Sequence, residues 1–129
     1  MKFKRNSSVS IVAIVVTYFP DFVGLKKQLD ILLPQVSGVM IIDNGSLYES
    51  SVWNTIKPFE NVEVCFFSDN QGIASAQNYG IKKAKESGVE FVLLMDQDSI
   101  PASDMVDRLL LTATEKEKVA ADFNWAKNI

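Results

Sequence analysis

Four short apolar runs, separated by helix-length stretches and each closing in a polar cluster, decide what this chain can fold into. They are residues 9–16 (VSIVAIVV), 39–42 (VMII), 61–67 (NVEVCFF) and 91–95 (FVLLM). Apart from the alternating start of the third, they carry no polar alternation, which fits strands covered on both faces. The first is rich in β-branched residues, which suit a strand. Strands buried on both faces are characteristic of parallel sheets, and parallel neighbours need long crossover connections. The stretches between the runs have that length.

The first connection passes Thr17-Tyr18-Phe19-Pro20, where proline forbids continuation of the strand. Asp21 can then cap a helix with Phe22, Leu25, Leu29, Leu32 and Leu33 inward and Lys26, Lys27 and Asp30 outward, ended by Pro34. Residues 48–59 predict a short, irregular helix closed at Pro58. Residues 73–87 predict a longer one, with Ile73, Ala76, Gly80, Ile81 and Ala84 facing in and Gly88 as its C-cap. Pro101 suits the first turn of a fourth, whose apolar stripe is Met105, Val106, Leu109, Leu110 and Ala113. Lys118-Val119-Ala120-Ala121 reads as the start of another strand.

The order β-α-β-α-β-α-β-α predicts a Rossmann-like, doubly wound α/β fold: a mainly parallel sheet in a three-layer α/β/α arrangement. One domain is expected over residues 9–121, behind a disordered basic tail (1–8) and ahead of a divergent tail (122–129, DFNWAKNI) that abandons the pattern. A chain of 129 residues with 47% hydrophobic content has room for one such core.

Composition removes several functions. A net charge of -3 and a pI near 4.9 argue against a nucleic-acid partner, which normally meets a clustered basic face. With no histidine, the chain contains no Ser-His-Asp or Cys-His arrangement and few zinc schemes. The single cysteine, Cys65, allows no internal disulfide and reads as a small core residue, consistent with a reducing cytoplasm. No apolar run reaches the roughly 20 residues of a membrane span. Residues 9–16, behind Lys2, Lys4 and Arg5, resemble a signal peptide but lack its cleavage site. The basic start could touch an anionic membrane surface peripherally.

Chemistry is suggested by position. The strands hand over to Thr17-Tyr18, to Asp43-Asn44-Gly45-Ser46, to Ser68-Asp69-Asn70 and to Asp96-Gln97-Asp98-Ser99. A parallel sheet brings all four clusters to the edge where such sheets bind ligands. Helix capping by Asp, Asn and Ser explains part of this, but not why three clusters carry carboxylates while the opposite links are short and plain. Asp96 and Asp98 offer hard oxygen ligands suited to Mg²⁺ or Mn²⁺, cations that commonly bridge to phosphate. Backbone N–H groups near Asn70-Gln71-Gly72 could also meet phosphate, although neither a P-loop nor a G-x-G-x-x-G is present. Asp43 could accept from a ring N–H or a ribose hydroxyl, or serve as an Asx-turn acid. A phosphatase using Asp96 as nucleophile would place that strand first in the sheet sequence, and here it comes fourth.

The segments VVTYFP, IIDNGS, NQGIASAQNYGI and LLMDQDSIPASDM occur in the order and spacing of family 2 glycosyltransferases of the GT-A fold, and the chain is similar to them over residues 9–121. DQDS, together with AQN where many relatives have ARN, looks most like the branch that uses dTDP-rhamnose. The resemblance implies an inverting, divalent-metal-dependent transfer of a sugar to a saccharide or lipid-linked acceptor in surface polysaccharide synthesis, at the cytoplasmic side of a membrane. It implies that Thr17 and Tyr18 line the base pocket and that Asp43 bonds the pyrimidine. Asn70, Gly72 and Asn78 would shape the wall near base and ribose, with Gln77 at a position where an arginine often contacts the nucleotide. Asp96 would reach the ribose or the metal, and Asp98 would ligate the cation on the diphosphate. The catalytic base is expected beyond residue 121, so this chain reads as a truncated, donor-binding half. A non-catalytic remnant or interaction module retaining the fold is the other reading.

Overall fold

The computed structural model describes residues 9–115 and 126–128. The four apolar runs become β1 (Ile11–Thr17), β2 (Gly38–Asp43), β3 (Val62–Phe66) and β4 (Phe91–Asp96). They are joined by α1 (Phe22–Leu32), by a 3₁₀ turn at Ser50–Thr55 and by α2 (Ile73–Glu86); α3 (Met105–Glu115) follows β4. A short strand, β5 (Ala126–Asn128), completes a sheet of order β3-β2-β1-β4-β5. The pairings among β1 to β4 are parallel, and β5 runs antiparallel to β4. The fold is the expected α/β sheet with helices on both faces.

Two-sided burial explains why the strand sequences do not alternate. Along β1, Ile11, Ala13 and Val15 enter one core with Leu25, Leu29 and Leu32 of α1, Trp53 and Val106. Val12 and Ile14 enter the other, with Met40, Ile42 and Val92 of the sheet and Ala76 and Ala84 of α2. Alternate residues go to opposite faces, and both faces are apolar. Helix α2 approaches closely because Gly80 has no side chain: a Cβ there would lie 2.9 Å from Ile14 Cγ2. Asp21 caps α1, its carboxylate accepting from the Val23 N–H at 3.2 Å. Gly88 takes φ 78° just past α2, the left-handed conformation of a helix stop.

Some local expectations are corrected. The short, irregular helix expected over residues 48–59 is a six-residue 3₁₀ helix, Ser50–Thr55, anchored by buried Trp53 and Ile56. Pro101 does not open α3, which begins at Met105. Gln35 takes over the task of setting that helix start, donating from Nε2 to Ala102 O at 2.9 Å and accepting from the Val106 N–H at 2.9 Å. Ile73 does not face the core; it is exposed, on the first turn of α2. Cys65 is half-buried against the α2-side core. Within the segment read as a divergent tail, residues 126–128 pair with β4; the strand expected at 118–121 lies outside the described residues, as does the 1–8 tail. Among the described residues no helix is long and apolar enough to cross a membrane.

The chain builds β1, β2 and β3 outward in one direction, then returns to place β4 on the other side of β1. The chain leaving β1 leads toward β2 and the chain leaving β4 toward β5, at opposite edges of the sheet, although α1 and α3 pack on the same face. A crevice opens at the carboxyl ends where the strand order reverses.

Candidate functional site

An open cleft of about 460 Å³ occupies that crevice. Val16 and Tyr18 from the end of β1, Asn44 after β2, and Asn70 and Ile73 before and in α2 form one side. Met95 through Ser99, the end of β4 and its turn, form the other. Parallel register puts them there: Val16 pairs with Asp96 and Thr17 with Asp43, so three strands stop at the same level.

Of the residues singled out from the sequence, Tyr18, Asn70, Asp96 and Asp98 line this cleft. Asp96 and Asp98 are both exposed. Among the described residues neither carboxylate has a hydrogen-bond or cationic partner. Two like charges two residues apart, turned toward open space, favour a cation that neutralises them both. No cluster of three or more acidic, cysteine or histidine ligands exists among the described residues. Two exposed carboxylates are donors of the type that hard divalent cations take.

Asp43 and Thr17 lie deeper. Asp43 is 2% exposed and holds three donors: its Oδ1 accepts from Thr17 Oγ1 at 2.8 Å and Ser46 Oγ at 2.7 Å, and its Oδ2 from the Ser46 N–H at 3.0 Å. Ser46 Oγ in turn accepts from the Phe19 N–H at 2.7 Å. This knot joins the ends of β1 and β2 and fixes the turn that follows each. It holds Phe19 in the left-handed region, at φ 47°. Asp43 also borders a second pocket of about 190 Å³, walled by Leu47, Tyr48, Trp53, Phe66 and Phe67. Among the described residues its Oδ2 accepts one hydrogen bond, which leaves it one lone pair.

The remaining candidates are peripheral. Gly72 is the N-cap of α2, at φ 85°. Its N–H donates to Asn70 Oδ1 at 2.8 Å, shaping the loop into α2. Asn78 lines an open depression with Phe67, Gln71, Ser75, Tyr79 and Lys82 rather than the cleft. Gln77 is half-buried on α2 and borders neither cavity.

Asn44 and Gln97, named in the sequence only as members of strand-end clusters, and Gln28, not singled out there, have specific bonding roles. Asn44, 3% exposed, accepts from the Gln71 N–H at 2.9 Å and so fastens the loop before α2 to the end of β2. Gln28 of α1, fully buried, donates from Nε2 to Asp96 O at 2.7 Å and Ser99 O at 2.8 Å, underpinning the turn that carries both acids. Above it, Gln97 exchanges a pair of hydrogen bonds with the backbone of Tyr18. Edge-to-face rings run from Tyr18 through Phe19 to Tyr48, and tilted or edge contacts continue through Phe22 to Trp53 and Phe66, forming one aromatic wall along this edge. Aromatic residues at strand ends were the available signal for that wall.

The sequence model of glycosyl transferase family 2 matches residues 14–128. A dTDP-rhamnosyl transferase of Shigella flexneri, RfbF, is 31% identical over 100 residues, covering 78% of this chain and 33% of its own length. The chain thus spans about a third of that relative. Among solved structures, S. aureus TarS 1-349 superposes with a TM-score of 0.65 at 21% identity, over 84% of this chain and 33% of TarS. The same protein in complex with UDP gives 0.65 at 20%, over the same shares. A 4-diphosphocytidyl-2C-methyl-D-erythritol synthase gives 0.67 at 18%, over 83% of this chain and 56% of the synthase. At these identities the structures establish the fold, and the sequence match establishes the family. With β1, β2 and β4 delivering their polar ends to one cleft on this sheet, and the match running almost its whole length, the chain belongs to glycosyl transferase family 2.

Proposed function

We propose that this chain binds a nucleoside-diphosphate sugar, dTDP-rhamnose or a close analogue, through a divalent cation, as the donor half of an inverting sugar transferase. The observation that carries the reading is the pair Asp96 and Asp98, exposed and, among the described residues, without hydrogen-bond or ionic partners for their carboxylates, on the wall of a cleft whose facing side holds Tyr18 and Asn70. The donor class agrees with the dTDP-rhamnosyl transferase similarity. The nucleotide would lie across the crevice, its base against the Tyr18 ring and its ribose near Asn44 and Asn70. The free lone pair on Asp43 Oδ2 is the one acceptor that carboxylate retains for a ring N–H.

A bound Mg²⁺ or Mn²⁺ would neutralise the charge that develops on the departing diphosphate. The chain's own residues would do the rest: Asp96 and Asp98 would hold the ion, and Gln28 anchors the turn that carries them. Asn44 and the Asp43 knot keep the opposite wall in place. The acceptor is a saccharide or lipid-linked saccharide that takes the sugar from the open side of the cleft.

Calorimetric titration of the full chain with dTDP in Mn²⁺ tests this. Asp98→Ala is expected to weaken Mn²⁺-dependent binding by about tenfold or more, the effect of removing a charged ligand at about 1.4 kcal/mol per decade. Equal affinity in the variant would rule out the cation role. No nucleotide-induced thermal shift in the wild-type chain would favour a non-catalytic module instead.

A further inference from the structure

The backbone pairing of β1 with β4 ends at Val16 and Asp96, and beyond it the two connections part, one toward β2 and the other toward β5. At that point one side chain continues the ladder. Gln97 Oε1 accepts from the Tyr18 N–H at 2.7 Å, and Gln97 Nε2 donates to Tyr18 O at 3.2 Å. A primary amide offers one acceptor and donors in the same arrangement as a peptide unit. Here it stands in for the strand residue that the divergence removes. The same turn is fixed from beneath, because the Gln28 amide binds both Asp96 O and Ser99 O. Gln28 cannot be turned over, since its oxygen would then face two carbonyl oxygens. In the orientation found, Gln28 Oε1 is buried without a partner among the described residues, a cost that the fold sustains at this turn.

We propose that Gln97 is a positioning residue that couples the Tyr18 side of the cleft to the Asp96–Asp98 side, so that nucleotide and cation reinforce each other's binding. The inference rests on the donor-site reading above. Gln28 anchors the backbone of the turn at Asp96 O and Ser99 O, and the Gln97 amide links that turn directly to the Tyr18 backbone, so a reorientation of the carboxylates on taking up a cation is passed to Tyr18 through it. Binding at either wall then preorganises the other, and a coupling free energy between two sites is by linkage reciprocal. Gln97 touches neither reacting atom nor cation in this scheme. Its effect is carried by the Tyr18 backbone.

Two measurements on the full chain decide it. Amide hydrogen exchange, made without any ligand, reads the brace itself: Gln97→Ala and the similarly long Gln97→Met should both exchange the Tyr18 N–H about tenfold faster or more. Calorimetry with dTDP, with and without Mn²⁺, reads the coupling: both variants should lower the Mn²⁺-dependent gain in affinity about fivefold or more, beyond any loss of metal-free affinity. An unchanged exchange rate at Tyr18 overturns the brace. Faster exchange with an unchanged Mn²⁺ gain, or an equal loss of affinity with and without metal, reduces Gln97 to a structural role and overturns the coupling. A wild-type chain that binds no dTDP defeats the donor-site reading itself, and that result is visible before any variant is compared.

Discussion

Gly45 and Gly72 both occupy positive φ, at 82° and 85°, yet their surroundings differ completely. A Cβ on Gly45 would come 2.4 Å from the carbonyl carbon of Asp69 and 2.6 Å from the Asn70 nitrogen, both backbone atoms. A Cβ on Gly72 would meet nothing within 4 Å. Gly72→Ala should therefore cost only its conformational strain, about 1–2 kcal/mol. Gly45→Ala adds a collision that forces the 43–46 turn off the loop before α2, and should cost about 2–5 kcal/mol. Urea denaturation of the two variants should give that order; equal losses would mean that the two loops separate readily. Residue identity made part of this legible beforehand. Asp96, Asp98, Tyr18 and Asn70 stood out because charged, aromatic and amide groups at strand ends are visible in a linear sequence. Gln28 did not, because a neutral amide inside a helix carries no pattern, and Gln97 stood out only as the glutamine of DQDS, not for its bond to Tyr18, since the partners of the two lie 68 to 79 residues away.

At the scale of elements, β3 is the exposed margin of the sheet, paired only to β2, and it carries the chain's one thiol. Burial pushes the Cys65 thiol up from its ordinary value, and the nearby Glu63 carboxylate pushes the same way. Lys83 and a hydrogen bond with Tyr79 oppose them without prevailing. The protonated thiol should persist to higher pH than in the unfolded chain, so alkylation of the native protein should accelerate only above the usual thiol range. Because the folded value is raised, unfolding exposes the more acidic thiol, and stability should begin to fall as pH passes the unfolded value and continue to fall up to the folded one. Glu63→Gln should bring the alkylation profile back toward lower pH; a profile moved upward instead would contradict the assigned cause. The elements themselves were largely readable, since strands buried on both faces leave unbroken apolar runs. Misreadings fell where tertiary bonds override local signals. Pro101 looked like a helix start until Gln35 set that start at Met105, and Ile73 kept an inward period while its turn rose to the cleft rim.

For the molecule as a whole, sheet order fixes a gradient of stability. β1 lies between β2 and β4, its core residues almost wholly excluded from solvent, whereas β5 adds three residues on an edge. Amides of β1 should exchange only with global unfolding, while those of β5 should open at a far smaller free energy. Hydrogen exchange under native conditions can check this, and comparable protection in both strands would require β5 to be integral to the folding unit.

The two apolar cores, one under α1 and α3 and the other under α2, meet only through the backbone of the sheet. Alternate residues of each strand answer to different neighbours, so a substitution on one face leaves the packing problem on the other unchanged. Lineages of such a chain are free to repack one side while conserving the other. Divergence should then be patchy by sheet face rather than uniform along each strand, and two relatives can share little overall identity while keeping one core nearly intact.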